Sequence, residues 1–545
     1  MPVLSQGIAF SCDWISMYAP LFGCALIASA LGSFANARED NENASESIVS
    51  NIRQALGSDA LERHAGGFLL EGTADHNGLE SQYSLAFTPG GLFHREIRGR
   101  LHDAVAYDGV TAWGVDWSRT PRVLALEDLE VQQTLHWVQT GRWLAAESPF
   151  ALSVVADESD ERQVCLRMRL KGGILEAKLL VDRATWQPRQ LRRRWFAGEE
   201  TWLFENYQRS HGCFLAHKVA HKRAELTDTF EVQSVREIST SSLRGSFGPL
   251  RPELEDTRFD AKTSSRITLM QSSTGHLFVR PRIDGKDVGW FALDTGTGAG
   301  MTIAPASARA LGMESLGRTM SVGAGKAVMT TFRQGKTFEL GPITITDGVY
   351  LELPAEFVDL LQKGFGIEVA GTCGYDVFSR AVVELDLESK TIDLHDPARY
   401  QLAAGRWEEL TLNHKIPCVR CRFNGDHEGM FQLDTGASNG TARMVLLHAP
   451  AVESLQLVKG RNLAPIKVGG VGGTVDARIG TLDKFVVGGR PYHNMTALFM
   501  ITAQGALADP YTTGTFGGAI LEPFRVVFDY PHRRIAFVEK SNGGH

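Results

Sequence analysis

Two aspartates, Asp294 and Asp434, each open an Asp-Thr-Gly tripeptide, and they stand 140 positions apart. Each follows an apolar run, Trp290-Phe291-Ala292-Leu293 in one case and Met430-Phe431-Gln432-Leu433 in the other. Paired carboxylates suit the hydrolysis of an amide without a metal or a covalent nucleophile. Like charges about 3 Å apart cannot both ionise, so a close pair keeps one proton between them. The ionised partner takes a proton from water. The protonated partner donates a hydrogen bond to the carbonyl oxygen as negative charge grows there. The dyad then protonates the leaving amine. In this scheme an apolar strand delivers each Asp, and Gly296 and Gly436 let the opposite loop approach closely. Thr295 and Thr435 can hydrogen-bond across and lock the carboxylates. The following residues differ, Thr297 against Ala437. A Thr297 hydroxyl is expected to bond the nearby carboxylate and favour its ionised form.

A single Asp-Thr-Gly is as readily a turn after a strand. Here the surroundings repeat as well. Gly371-Thr372-Cys373-Gly374 and the run Ala381 to Asp386 recur, offset by 143 positions, as Gly514-Thr515-Phe516-Gly517 and Phe524 to Asp529. Between these landmarks each copy holds a glycine-rich segment, Val322 to Lys326 and Val468 to Thr474. The expected order is strand, Asp-Thr-Gly, glycine hairpin, apolar strand with Gly, and closing strand ending in Asp.

At these residues the chain resembles the retropepsin-like aspartic peptidases, in the form that carries two Asp-Thr-Gly lobes in one polypeptide. The resemblance spans about residues 265–540. It implies two tandem retropepsin/pepsin-like β-barrel lobes, 265–400 and 401–540, with Asp294 and Asp434 as the catalytic dyad. Thr295, Gly296, Thr297, Thr435, Gly436 and Ala437 would support it, and Gly323, Gly325, Gly470 and Gly472 would sit in flap tips closing over a peptide or protein substrate. It implies no cofactor and no metal. One departure is Thr372-Cys373 and Thr515-Phe516, where the family usually has two apolar residues before the glycine. An acidic to mildly acidic optimum is expected.

Residues 45–240 read as short alternating strands, such as Val164 to Leu170 and Leu175 to Leu179, with a helix expected over Asp128 to Leu144. Tyr107 to Trp113 and Val181 to Pro188 give this part a resemblance to LolA-like lipoprotein-carrier domains. That implies a curved antiparallel sheet over a few helices, with an apolar concavity for a lipid or lipoprotein. The stretch 241–264, rich in Ser, Arg, Pro and Asp, reads as a linker. The expected fold class is thus mainly β throughout.

With 545 residues, about two to four domains are expected. The net charge of −7 argues against a nucleic-acid partner. Arg192-Arg193-Arg194 reads as a solvated face. The apolar run from Tyr18 to Phe34 ends in Ala35-Asn36-Ala37, the pattern of a signal peptide over 1–37, although residues 1–17 lack the usual Lys or Arg. Its removal would leave no membrane span and a periplasmic or secreted protein of the bacterial envelope. Seven cysteines in so long a chain are no disulfide framework, and Cys418-Val-Arg-Cys421 lies in a strand-like stretch. His217 and His221 have metal spacing only on a helix, and their neighbours read as strand. Gly323-Ala324-Gly325-Lys326 lacks the Ser or Thr of a phosphate loop.

The chemistry expected is therefore that of an aspartic endopeptidase. The alternatives are a non-catalytic envelope lipid- or lipoprotein-binding protein with a degenerate pair, and a latent enzyme occluded by its N-terminal domain. The sequence leaves open the cleavage specificity and whether the lobes pair within one chain or between chains.

Overall fold

The computed structural model describes residues 45–195, 198–239, 254–425, 427–438, 442–470 and 472–540. The expected signal segment lies outside them. The chain is mainly β. Alternation sets the first domain: in the strand Gln163–Leu170, Val164, Leu166, Met168 and Leu170 are buried while Arg167 and Arg169 are exposed. Thirteen such strands between Gly67 and Ile238 form one antiparallel sheet. The first strand, Gly67–His76, lies beside the last, Leu226–Ile238, so two meanders join along that seam. The helix Leu126–Gln139 packs Trp137 and Val138 onto the sheet core. It stops earlier than the expected 144. Gly141 turns left-handed (φ 78°), and Arg142–Leu144 continue only as a short 3-10 turn.

Arg193 is a second departure. Its strand, Pro188–Trp195, alternates, so Arg193 points inward while Arg194 stays exposed. Arg193 is buried between Glu127 and Glu200, at 2.5 and 2.6 Å. The run expected to be solvated therefore anchors the helix to the sheet.

Each later lobe is built on an eight-stranded sheet, and the two sheets order their equivalent strands identically. The strand before Asp-Thr-Gly lies centrally and runs parallel to a later strand, Leu293 beside Cys373 and Leu433 beside Phe516. The closing strands Val382–Asp386 and Phe524–Asp529 pair antiparallel with one another. They are the middle of a six-stranded sheet to which both lobes contribute, so the lobes meet within one chain.

The stretch expected as linker is partly structured. Thr257–Phe259 pairs with Ile343–Thr346 of lobe one. Asp256 is buried and holds Arg380 at 2.6 Å. The loop Asp116–Arg119 of the first domain reaches the same place, with the Ser118 carbonyl accepting from Arg380 at 2.6 Å. The end of the supposed linker thus belongs to lobe one, fixed by an ion pair that composition does not reveal.

Candidate active site

Each aspartate sits where a short buried strand ends against its parallel neighbour. The Asp294 N–H donates to the Cys373 carbonyl at 3.0 Å, and the Asp434 N–H to the Phe516 carbonyl at 2.9 Å. The glycine after each neighbour is required by contact. A Cβ at Gly374 would fall 2.1 Å from the Asp294 carbonyl oxygen, and one at Gly517 would fall 1.8 Å from that of Asp434. The two polar residues that depart from the family pattern have partners. Thr372 meets the Thr302 hydroxyl at 2.9 Å, and Thr515 meets His448 Nε2 at 2.9 Å.

Thr295 and Thr435 form a reciprocal lock across the lobes. The Thr295 hydroxyl donates to the Leu433 carbonyl at 2.8 Å and accepts the Thr435 N–H at 3.0 Å. The Thr435 hydroxyl donates to the Leu293 carbonyl at 2.8 Å and accepts the Thr295 N–H at 3.0 Å. Both threonines are sealed from solvent, at 1% and 3% exposure. Four backbone groups at the ends of the two strands thereby gain a partner.

The lock brings the Asp294 and Asp434 carboxyls side by side, within hydrogen-bonding reach. A Cβ at Gly296 would fall 2.1 Å from the Asp434 carboxyl carbon, and one at Gly436 would fall 2.8 Å from that of Asp294. Burial, and then the neighbouring Asp434 carboxylate, hold Asp294 well above the usual carboxylate range. Burial also raises Asp434, but N–H groups of Gly436, Ala437 and Gly296 favour its ionised form. Two of these donate to Asp434 Oδ1 at 2.7 and 3.1 Å. Asp294 accepts an N–H of its own, from Gly296 at 2.9 Å, so both carboxyls are raised and one proton serves the pair. Thr297 offers Asp294 its backbone N–H, and its methyl group packs toward Gly374.

The glycine segments are hairpin tips that meet each other. Strands Glu314–Ser321 and Val328–Gln334 carry one tip, and Ala464–Gly470 and Gly473–Val487 the other. The Lys326 N–H donates to the Gly472 carbonyl at 3.0 Å. The Ala506 N–H of lobe two donates to the Gly323 carbonyl at 2.8 Å. Gly470 lies against Ala324, and a Cβ at Gly325 would fall 2.0 Å from the Gly472 carbonyl oxygen. Gly325→Ala forces the tips apart while leaving each hairpin free to form. Its kcat/KM for a peptide is expected to fall by about 10-fold or more, with an unchanged melting temperature.

Several residues near the dyad carry no sequence signal of their own. His276 Nε2 lies 2.9 Å from the Gly436 carbonyl, which can only accept, so that nitrogen holds the hydrogen. Nδ1 then accepts from Thr274 at 2.9 Å. The opposite hairpin of lobe two sets the His414 carbonyl against Gly298, where a Cβ would fall 2.5 Å from it. Each lobe's first hairpin thus touches the other lobe's aspartate loop. A hydroxyl-rich turn and a His-Lys pair look like any surface loop until the lobes are folded together.

Other residues singled out by type go elsewhere. Cys418 and Cys421 are buried free thiols on the strand Ile416–Phe423. His217 and His221 lie on the strand Cys213–Arg223, and His221 bonds Glu200 at 2.6 Å. A cavity of about 250 Å³ between helix and sheet has mixed walls, with Val131, Leu135, Val219 and Phe230 beside the charged Arg193 and Glu200. Alternation places side chains on a face but does not say that ion pairs will fill it.

Residues 419–517 match the family model described as aspartyl protease. No curated protein matches the chain. Among solved structures, the chain is similar to a retropepsin-like aspartic protease from Rickettsia conorii, at 20% identity over 23% of this chain and 86% of that one, with a TM-score of 0.17. It is also similar to a LolA superfamily protein from Nitrosomonas europaea, at 16% identity over 36% and 96% of the two chains, with a TM-score of 0.26. A DUF1329 family protein from Desulfovibrio piger matches at 11% identity over 35% and 96%, again with a TM-score of 0.26. Among the described residues no helix is long and apolar enough to cross a membrane.

Proposed function

We propose that the chain is an aspartic endopeptidase in which Asp434 is the base for water and Asp294 the acid for the scissile carbonyl. The observation that carries this reading is the pairing of the two carboxyls inside one chain, locked by Thr295 and Thr435. One proton between two carboxyls supplies both halves of the reaction. The meeting hairpin tips supply flaps that would have to part for substrate and close again over it. An extracytoplasmic setting is proposed from the Tyr18–Ala37 segment alone.

The test is cleavage of an unfolded protein by the full chain, read by mass spectrometry and blocked by a statine-type peptide. The pH dependence of kcat/KM should be bell-shaped. The acid limb appears when Asp434 takes up a second proton. The alkaline limb appears when the proton on Asp294 is lost, above the ordinary carboxylate range because burial and its partner hold it there. A rate that climbs steadily through neutrality into alkali contradicts the shared-proton mechanism.

A further inference from the structure

The lobe-two hairpin that abuts Gly298 is gripped by the first domain. His414 and Lys415 join the strands Thr411–Asn413 and Ile416–Phe423, and both have left-handed backbones, with φ of 51° and 68°. A two-residue turn with both residues left-handed favours Asn-Gly, because side chains are crowded there. The corresponding hairpin of lobe one uses Gly275 (φ 83°), and the Ser272 hydroxyl caps it by accepting the His276 N–H at 3.2 Å. In lobe two the first domain supplies an acceptor at the corresponding turn.

The donors and acceptors are specific. Asp128, in the first turn of the helix Leu126–Gln139, accepts the His414 backbone N–H at 3.0 Å and faces His414 Nδ1 at 3.2 Å. Glu127 faces His414 Nε2 at 3.1 Å. Arg122 and Arg193 hold these two carboxylates from the other side. Asp116 pairs with Lys415 at 2.9 Å, and the ammonium sits 3.9 Å from the centre of the Trp117 ring. Trp117 also touches the aspartate loop of lobe one directly, with its indole N–H donating to the Ala299 carbonyl at 3.3 Å. Trp117 packs on Phe332 of the lobe-one flap strand as well. The loop Asp294–Gly300 is therefore braced at Gly298 and Ala299 by groups that the first domain holds or supplies.

A domain that silenced the enzyme would have to occupy the dyad or the flap tips. Among the described residues no hydrogen bond or ion pair runs from the first domain to Asp294, Asp434 or the tip residues Val322–Lys326. Its contacts fall on the segments that shape the dyad and on the lobe-one flap strands away from the tip, where the Asn77 carbonyl accepts the Arg318 N–H at 2.8 Å and Arg100 pairs with Glu314 at 2.7 Å.

Resting on the peptidase reading, we infer that the N-terminal domain is a working part of the catalytic unit: through Asp128 and Trp117 it positions the Asp294 loop. Asp128 and Trp117 are positioning residues, acting through His414 and Ala299 and touching no reacting atom. Severing the chain between the domains is then expected to lose activity, whereas a latent enzyme would gain it.

The test uses full-length Asp128→Ala, Asp128→Asn and Trp117→Phe. Asp128→Ala removes the cap of His414 and is expected to lower kcat about 10-fold or more, with KM within about twofold. Asp128→Asn keeps an acceptor for the His414 N–H and should recover part of that loss. Trp117→Phe keeps the ring and loses one bond, so a smaller fall is expected. Amide hydrogen exchange is the second readout, independent of any activity. In Asp128→Ala and Trp117→Phe the amides of residues 296–301 should exchange faster, while those of the six-stranded sheet do not change. Should Asp128→Ala fail to fold, Trp117→Phe decides alone. Wild-type exchange at 296–301 in a folded variant overturns the inference. A wild-type chain that cleaves nothing, yet shows the exchange changes, overturns the enzymatic reading and leaves the brace standing.

Discussion

Asp434→Asn is expected to lower kcat for peptide hydrolysis by about 10,000-fold while leaving substrate binding close to normal. The amide cannot take a proton from water, and the strand that carries it is unaffected. Asp294→Asn should be as inactive, but its effect on stability has a definite sign. The Asp294 carboxyl is held well above its ordinary value by burial and by Asp434. The folded chain therefore binds a proton that the unfolded chain releases, over the range from the ordinary carboxylate value up to the raised one. Stability from this group is present in acid and lost as pH rises through the raised value. Asparagine has no such proton to lose. Asp294→Asn should accordingly melt higher than the parent at neutral pH, with the difference shrinking in acid. An inactive variant that melts lower at every pH would show that the residue is structural. Full activity in either variant would end the dyad mechanism.

Thr295→Val should be damaging in a different manner. Valine keeps the shape and removes a hydroxyl that serves both as donor to Leu433 and as acceptor for Thr435. Two buried backbone groups lose their partner, at a cost of about 1–3 kcal/mol each. Urea unfolding should register a loss of about 2–6 kcal/mol. Activity should fall by at least about 100-fold in the variant that remains folded, because the carboxyls lose their alignment. Thr295→Ser keeps both bonds and should restore most of each property. A Val variant with parental stability would mean that the bonds across the lobes carry little of the structure.

Part of this organisation is legible in the residues themselves. Asp294, Asp434, Gly374 and Gly517 stand out because each local pattern occurs twice, and repetition separates a functional turn from an ordinary one. The strands of the first domain are visible in their alternation. What the sequence hides is long-range and polar. Asp128 reads as a helix N-terminal acid, and its partner lies 286 residues away at His414. Arg193 reads as surface charge until the helix residue Glu127 closes over it. Asp256 sits in a stretch with linker composition and is fixed by Arg380 from lobe one. Thr297 was expected to tune the carboxylate with its hydroxyl, but the tuning comes from backbone N–H groups, which every residue possesses and no sequence pattern displays.

The paired closing strands Val382–Asp386 and Phe524–Asp529 have one more consequence. A symmetrical assembly of identical halves must present the same wall on both sides of its cleft, and any substitution appears twice. Here each half is spelled separately and joined permanently, so a change on one side leaves the other alone. Thr297 at the place of Ala437, and a hairpin capped by its own Ser272 at the place of one held by the first domain, are the record of that freedom. Such a cleft can tell the two ends of a bound chain apart.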